Sequence, residues 1–386
     1  MKRRLAFLIH DLNPWGGQDQ STLEILKCLD PEFQVDIVSF TLFGKEKWEN
    51  AKVNRVRPYL KRPVLLKSII FYGVTLFLFY RWRFFGNRPF IHATGTCSLK
   101  SDIVHVQFIH AGWNQVHLRS KDFFFRKIYR KIELGFHLGM EKILFQNNKQ
   151  YIAISQGVAK DLQTFFKIQP ERIHVIHHGV DPDRFCPLPV DLAPVKKEFK
   201  QSLSIGLDQK VVLFVGEPER KGLQMAMRSL AACSEAAKKK GVLVAVGVTQ
   251  TESWISLAYE LQIQDQLRLI SHTPDVLKYY QMADFFFLPT LYEPFGLVGL
   301  EAMSCGLPVV ISQCAGVSDL MVHGQSGFLI QDPCSVDEMV EYLETLILNF
   351  HRCEAMGRAA RQVAVNRPWS EVGRDYLTLL KSISSS

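Results

Sequence analysis

Two glutamates, Glu293 and Glu301, stand eight residues apart around the start of a predicted helix. Glu293 precedes Gly296, where the helix is expected to begin, and Glu301 lies about a turn and a half inside it. Carboxylates accept hydrogen bonds, and the hydroxyls of sugars and riboses donate them. The spacing therefore predicts that the two glutamates contact opposite ends of one elongated ligand. It does not favour a close acid–base pair.

Phosphate-binding features follow two predicted strands. Arg220 and Lys221 come shortly after the apolar run 211–215, and a guanidinium fork beside a point charge suits a diphosphate. Gly16 and Gly17 stand between the first predicted strand and a helix, where bare amides near a helix terminus also suit a phosphate. The pattern is not G-x-G-x-x-G, so a dinucleotide is not favoured.

Strand-like and helix-like segments alternate along the chain, which predicts parallel sheets with crossover helices. The predicted strands are 5–9, 34–40, 103–107 and 151–154 in the first half, and 211–215, 242–246, 267–270, 285–288 and 309–311 in the second. The segment 173–189 holds three prolines and a glycine and is interpreted as an interdomain connection. The fold class is therefore α/β, with two doubly wound Rossmann-like domains whose ligands bind beyond the carboxyl ends of the strands.

The order of these motifs resembles the retaining glycosyltransferases of the GT-B fold, and family 4 in particular. Glu293 and Glu301 match the E-x7-E signature of that family. The remaining matching motifs stand in the family's order across nearly the whole chain: Gly16-Gly17, 152–155, 179–181 with Phe185, 214–216 with 220–222, 283–284, 324–329 and Trp369-Ser370. Within the family, the chain looks most similar to enzymes that build lipopolysaccharide cores and related glycolipids.

The resemblance implies a GT-B architecture with two domains facing across a cleft. Residues 1–185 would form an acceptor domain that faces a membrane surface, 186–366 a nucleotide-sugar-binding domain, and 367–386 a helix crossing back to the first domain. The implied enzyme is a retaining hexosyltransferase. It would move a hexose from a UDP- or GDP-linked sugar to a glycolipid or lipopolysaccharide-type acceptor.

The resemblance also assigns roles to residues. Arg220 and Lys221 would neutralise the leaving diphosphate in place of a metal ion, so that no metal or other cofactor is needed. Glu293 would accept hydrogen bonds from the transferred sugar, and Glu301 from the ribose. The remaining donor contacts are the backbone amides of Phe295, Gly296 and Leu297, together with Gly16 and Gly17 of the first domain.

Several alternatives stay open at this stage. His105 and His110 both follow a first-domain strand where family members often carry a histidine near the acceptor or donor sugar, and His110 is preferred. His177 and His178 replace the usual Pro-Asn before Gly-Val-Asp. Asp181-Pro-Asp183 imitates a metal-binding D-x-D motif but is predicted to be a turn. Alternative functions are a nucleotide-sugar 2-epimerase and a non-catalytic GT-B binding protein.

The net charge of +8 is spread unevenly along the chain. No acidic residue lies between Glu49 and Asp102, whereas ten Lys and Arg residues do. An anionic membrane surface is the predicted partner, through 52–88 and 117–133, where aromatic residues alternate with cations. The uncharged run 68–80 is shorter than the twenty or so residues that span a bilayer. The alternative is an ordinary core helix with a basic face, and nucleic acid is not expected as a partner.

The cysteines bear on location. Eight are scattered singly without a C-x-x-C pair, and they are interpreted as buried thiols in a reducing compartment. We therefore expect a cytoplasmic protein, peripheral on the inner face of the plasma membrane.

Overall fold

The computed structural model describes residues 3–12, 17–29, 33–42, 51–57, 64–117, 124–189 and 192–384. The chain divides into two compact units. The first comprises Met1–His178 and Trp369–Ser386, and the second comprises Gly179–Pro368.

The first unit contains short parallel strands joined by helices. Its described strands are β1 (Arg3–Leu8), β2 (Asp11–Leu12), β3 (Phe33–Ser39), β4 (Thr41–Leu42), β5 (Lys52–Arg55), β6 (Phe90–Thr94), β7 (Ile103–Val106), β8 (Gln150–Ala153) and β9 (Ile173–Val175). The helices between them are α1 (Gly17–Leu29), α2 (Val64–Phe84), α3 (His110–His117), α4 (Phe124–Leu144) and α5 (Gln156–Phe166).

The main sheet of the first unit has the order β5-β3-β1-β6-β7-β8-β9, and every pairing is parallel. The inner strand β1 is apolar on both faces from Leu5 onwards, as the strands of a sheet covered by helices on both sides must be. The strand order reverses between β1 and β6, which makes the carboxyl ends of these two strands the expected ligand position.

The second unit repeats this arrangement. Its strands are β10 (Lys210–Val215), β11 (Gly241–Val246), β12 (Leu267–Ile270), β13 (Phe285–Leu288), β14 (Val309–Ser312) and β15 (Gly327–Ile330). Its helices are α6 (Ala193–Ser202), α7 (Pro218–Lys221), α8 (Leu223–Ala232), α9 (Glu235–Lys240), α10 (Thr251–Glu260), α11 (Leu277–Met282), α12 (Leu297–Ser304), α13 (Asp337–Leu348) and α14 (Phe350–Val365).

The sheet of the second unit is also parallel, in the order β12-β11-β10-β13-β14-β15. Here the strand order reverses between β10 and β13. The last helix, α15 (Trp369–Ser384), belongs to the first unit and packs beside α1. Its apolar face, with Val372, Tyr376 and Leu380, is buried in the core around β1 and β3.

The predicted α/β fold class is confirmed, and the predicted strands are present. Six strands were missed: the two-residue strands β2 and β4, and the longer strands β5, β6, β9 and β15. The chain divides at His178–Gly179, seven residues before the predicted boundary at 185/186. The reason is that Phe185 packs in the second unit, where its ring contacts Tyr280 and its carbonyl accepts a hydrogen bond from Ser304. The second division, at Pro368–Trp369, lies two residues after the predicted one at 366/367.

Helix α2 is longer than the uncharged run inside it, because it continues through Lys67 at one end and Arg83 at the other. It is long and apolar enough to cross a membrane by length and composition, so the length argument against a span does not hold. However, Phe71 and Phe79 are buried in a core cluster against the sheet of the first unit. One face of α2 is therefore structural.

Two smaller predictions have opposite outcomes. Asp181 accepts hydrogen bonds from the amides of Asp183 and Arg184, so the D-x-D segment is a turn as predicted. The prediction that the cysteines are buried is wrong for Cys314 and Cys334, which are exposed.

His92 gives the first unit a predicted pH dependence. Its ring stacks on Phe7, both ring nitrogens are buried without a hydrogen-bond partner, and burial lowers its pKa to about 3. Unfolded histidine takes up a proton near pH 6.5, so the unfolded state binds more protons in the window between about pH 6.5 and 3. Stability is therefore lost as the pH falls through this window.

We predict that His92→Leu removes about 2 kcal/mol of the stability change between pH 7 and pH 5, measured by urea unfolding at each pH. The slope compared is the change in the free energy of unfolding between pH 7 and pH 5, so any packing change that the substitution causes at both pH values cancels. The exposed His351 on α14 supplies the control, since His351→Leu should keep the wild-type slope. A His92→Leu protein with the wild-type slope would show that the folded protein does not hold His92 neutral.

Candidate functional site

The cationic part of the site follows β10. This strand is an apolar run buried in the middle of the second sheet, and the chain turns at Gly216 into the single-turn helix α7. Pro218 stands in the first turn of α7, where its missing N–H costs no hydrogen bond. Arg220 and Lys221 form the last turn, so both side chains lie beyond the carboxyl end of β10.

Two glycines make this position possible. Gly216 has φ +127°, and a Cβ there would lie 2.5 Å from Cδ of Lys221, so the lysine side chain folds directly over the backbone of Gly216. Gly222 has φ +83°, and its Cβ would lie 2.0 Å from the carbonyl oxygen of Pro289. The turn after β10 therefore packs against the turn after β13 at a distance that a side chain would prevent.

The acidic part of the site follows β13. The chain leaves this strand at Pro289 and reaches Glu293, where it is held by the loop that follows β14. The amide of Gly316 donates to the carbonyl of Glu293 at 3.0 Å, and the amide of Val317 donates to that of Phe295 at 2.6 Å. These bonds fix the backbone of Glu293 at the reversal point of the second sheet.

The two parts meet at one carboxylate oxygen. Oε2 of Glu293 accepts a hydrogen bond from Arg220 at 3.0 Å and lies 3.5 Å from Nζ of Lys221. The side chains of Glu293 and Lys221 are about 90% buried, with exposures of 11% and 9%, whereas Arg220 is 25% exposed. The three residues thus form a nearly buried cluster, and at its edge the exposed Glu217 pairs with Nε of Arg220 at 3.5 Å.

Burial and charge act against each other in this cluster. Burial alone raises the pKa of Glu293, but Lys221 and Arg220 outweigh it and the pKa is lowered. Burial lowers the pKa of Lys221, and Glu293 partly offsets that shift. The carboxylate therefore stays ionised and helps to keep the nearly buried lysine charged.

Glu301 has a different environment from Glu293. It lies on α12 and accepts a hydrogen bond from the hydroxyl of Tyr280 at 2.9 Å. Burial raises the pKa of Glu301 to about 7, although the Tyr280 bond opposes the shift. The carboxyl group is thus poised between its neutral and charged forms near neutral pH.

The remaining predicted donor residues lie at the start of α12. Gly296 is its N-cap and Leu297 its first residue, while the Phe295 side chain is buried. Amides in the first turn of a helix have no acceptor within the helix, and the helix dipole favours an anion or an oxygen there. The structure therefore brings Phe295, Gly296 and Leu297 into one stretch of backbone between the two glutamates.

In the first unit, the structure separates the two candidate histidines. His105 is fully buried in β7 and its ring lies 5.6 Å from that of Tyr376, so it is a core residue. His110 begins α3 and its side chain is 28% exposed. Of the two, only His110 is accessible. Gly17 is exposed at the start of α1, and Gly16 lies outside the described residues.

Sequence reasoning missed two contacts that support these residues. Glu141 on α4 binds His110, and Tyr280 on α11 binds Glu301. Tyr280 lies beside Tyr279 in a short helical segment and gave no sign of a polar role. Glu141 could have been suspected, because it stands in the mostly apolar second half of α4, where a buried acidic residue needs a partner.

No metal site accompanies these side chains. Within the described ranges, no group of three or more His, Cys, Asp or Glu residues could hold a metal ion.

Comparison with known proteins identifies the family. Residues 15–184 match the family described as Glycosyltransferase Family 4, and residues 195–363 match the family described as Glycosyl transferases group 1. The chain belongs to the glycosyltransferases of the GT-B fold. This confirms the predicted family and architecture.

Similar glycosyltransferases include the lipopolysaccharide glucosyltransferase WaaG of Escherichia coli. It is 25% identical over 244 residues, which cover 62% of this chain and 61% of WaaG. The aligned part of the chain spans about three fifths of the length of the first curated relatives that it matches.

Solved GT-B structures match over almost the whole chain. A structure of WaaG, described as involved in lipopolysaccharide biosynthesis, has a TM-score of 0.75 at 19% identity and covers 96% of this chain and 98% of its own. HepE of Anabaena, solved with UDP and glucose, has a TM-score of 0.71 at 18% identity and covers 98% of this chain and 100% of its own. At these identities the likeness shows the fold alone.

We predict that Glu301→Gln stabilises the protein in alkaline but not in acidic solution. The folded state holds a proton on Glu301 up to about pH 7 and the unfolded state only up to about pH 4.5, so this stability is present below pH 4.5 and lost as the pH rises through 7. The neutral amide keeps an acceptor for Tyr280 without the buried charge. It should raise the free energy of unfolding by about 3 kcal/mol at pH 8.

Thermal unfolding at pH 5 and pH 8 measures the effect. Glu341→Gln is the control, because Glu341 is exposed on α13 and should show no difference between the two pH values. An equal gain for Glu301→Gln at both pH values would mean that Glu301 titrates normally.

Proposed function

We propose that this protein is a retaining hexosyltransferase that transfers a hexose from a UDP- or GDP-linked donor to a glycolipid or lipopolysaccharide-type acceptor. The observation that carries the proposal is the cluster of Arg220, Lys221 and Glu293 at the reversal point of the second sheet. The named activities of WaaG and the UDP bound to HepE support the acceptor and donor classes.

The donor diphosphate binds to Arg220 and Lys221. Both cations share the Glu293 carboxylate, and Arg220 also pairs with the exposed Glu217; the remaining N–H groups of Arg220 and Lys221 are proposed to donate to phosphate oxygens. Glu293 already holds the two cations in a nearly buried position, so their side chains need not be rearranged when the ligand binds. Because these fixed cations supply the countercharge, the transfer needs no metal ion.

The reaction breaks the bond between C1 of the hexose and the oxygen of the leaving phosphate. A bond from C1 to the acceptor oxygen forms on the same face, so the anomeric configuration is retained. The acceptor proton passes to the leaving phosphate oxygen, and Arg220 and Lys221 stabilise the charge that develops there. Glu293 also accepts hydrogen bonds from the hexose hydroxyls, and Glu301 from those of the ribose.

The first unit binds the acceptor, with His110 as the histidine that contacts a reacting sugar. His110 is accessible and lies beyond the carboxyl end of β7, on the side of the sheet where ligands of doubly wound domains bind. Gly16 and Gly17 are proposed to approach the donor phosphate.

An anionic membrane is the proposed partner of the first unit. At the end of α2, Phe84 is 84% exposed, and it is flanked by the exposed Phe77, Tyr80 and Phe85. Together with Arg81 and Arg83, these four aromatic residues line an open surface groove. Aromatic rings that enter the headgroup region beside arginines are typical of proteins that lie on the inner, anionic membrane surface, and the protein is accordingly proposed to be cytoplasmic and peripheral.

We predict that Glu293→Gln and the double change Arg220→Ala with Lys221→Ala each lower transfer by at least about 100-fold, as the loss of a fixed electrostatic contact does elsewhere. A thermal-shift panel of nucleotide sugars first selects the donor, since a ligand of the folded state raises its unfolding temperature. Transfer is then measured as nucleoside diphosphate release, with extracted envelope glycolipid as acceptor.

The control is Glu354→Gln with Arg358→Ala, which removes an exposed ion pair on α14 of the same unit. It should keep wild-type turnover. Normal turnover in either site variant would contradict the assignment of Arg220, Lys221 and Glu293 to the donor site. Donor consumption at the same rate without an acceptor would favour the 2-epimerase alternative.

We predict that the double change Phe84→Ser with Phe85→Ser weakens sedimentation with vesicles containing anionic lipid by about tenfold, because two exposed rings leave the headgroup region. Binding of the wild type should also fall at high salt. Phe350→Ser, at an exposed ring in the second unit, is the control. Equal binding to neutral and anionic vesicles would contradict an electrostatic contribution.

A further inference from the structure

A single buried carboxylate organises the start of α3. Glu141 lies on α4 with no exposed side-chain surface, yet it carries a group that is costly to bury unpaired. Oε1 accepts a hydrogen bond from the amide of His110 at 2.6 Å and lies 2.9 Å from Nδ1 of its ring, and Oε2 accepts from the amide of Ala111 at 3.1 Å. Three nitrogen atoms thus converge on one side chain from another helix.

This contact determines what the His110 ring offers to a ligand. Both oxygens of Glu141 already accept hydrogen bonds from backbone amides, so the carboxyl group is an acceptor toward the ring as well, and Nδ1 of His110 carries the proton. In the neutral ring, Nε2 is then the unprotonated nitrogen, and it is the nitrogen left to contact a ligand. The histidine presents an acceptor, which suits the hydroxyl of a sugar.

A second histidine holds the ring plane. His137, one turn before Glu141 on α4, stacks on His110 with ring centroids 4.3 Å apart and an interplanar angle of 3°. Burial, together with His110, lowers the pKa of His137 to about 4, so its ring is neutral at neutral pH. Phe108 also contacts the His110 ring, edge to face, with ring centroids 5.1 Å apart. The ring of His110 is therefore fixed in both orientation and plane.

We propose that Glu141 is a positioning residue for transfer, which fixes His110 in the Nδ1–H form so that Nε2 accepts a hydrogen bond from the reacting sugar hydroxyl. The inference rests on the proposed function, in which His110 contacts a reacting sugar. Its structural part, the tautomer, is independent of that function.

A purely structural role for Glu141 makes different predictions. The carboxylate also satisfies two amides at the start of α3, which a helix terminus requires in any protein. If Glu141 only caps α3, its substitution lowers the stability of the protein. It then also lowers activity by the same factor whether or not His110 is present. A positioning role acts through the histidine and disappears with it.

The first experiment reads the tautomer directly. Long-range ¹H–¹⁵N spectra of the histidine-labelled full-length protein distinguish the two neutral forms, and His110→Asn identifies the His110 signals. We expect the wild type to show the Nδ1–H form, and Glu141→Gln to show a substantial Nε2–H form, because the amide has one acceptor for three donors. Wild-type His110 in the Nε2–H form, or an unchanged spectrum in Glu141→Gln, would overturn the proposal.

The second experiment is a double-mutant cycle on nucleoside diphosphate release from the donor that the thermal-shift panel selects. Glu141→Gln should lower kcat by about 10- to 100-fold with KM for the donor unchanged. This is the size of effect expected when one side chain that contacts the reacting group loses its position. In the His110→Ala background the same change should alter kcat less than about twofold. Equal factors in both backgrounds would assign Glu141 to capping alone.

The two experiments separate the possible failures. If His110→Ala leaves transfer unchanged, the role of His110 in the proposed function is wrong, and so is the catalytic part of this proposal, while the tautomer spectrum still tests the contact. If His110→Ala abolishes transfer but Glu141→Gln does not lower it, the proposed function stands and the positioning role is overturned.

Discussion

The candidate donor site depends on one buried carboxylate that two cations share. Arg220 and Lys221 follow one strand of the second sheet and Glu293 follows its neighbour, so the ion pairs form only because β10 and β13 are adjacent at the reversal point. The close approach at Gly222 and the backbone bonds to Glu293 hold these two turns together. Without Glu293, Arg220 and Lys221 would repel each other in a nearly buried position, and burial would favour loss of the lysine proton.

The first unit uses the same device for a different purpose. There Glu141 is the buried carboxylate, and the groups that it holds are a ring nitrogen and two helix amides instead of two cations. In both units the acidic residue and the groups that it holds lie on different segments. Glu293 follows β13 and its cations follow β10, whereas Glu141 lies on α4 and His110 on α3. Each carboxylate fixes the side chain that is proposed to contact the ligand, which reduces the reorganisation needed when the ligand binds.

The sequence predicted the second unit better than the first. Its apolar strands follow one another with clear turn signals, and its motifs mark the strand ends. β6 was missed because His92 interrupts an already short apolar run. The ion pair of Glu293 with Arg220 was not predicted, because sequence motifs assigned the two residues to different parts of a ligand. Glu141 lies thirty-one residues from His110, and only the packing of α4 against α3 brings the two together.

The most direct test of the central claim is a calorimetric titration of UDP and of GDP into the full-length protein in excess chelator. If Arg220, Lys221 and Glu293 form a diphosphate site that needs no metal, one nucleotide should bind with the metal removed, and its affinity should fall as salt is raised. Arg220→Ala with Lys221→Ala should abolish the binding heat. Failure of both nucleotides to bind, or binding that requires added magnesium, would contradict the assignment.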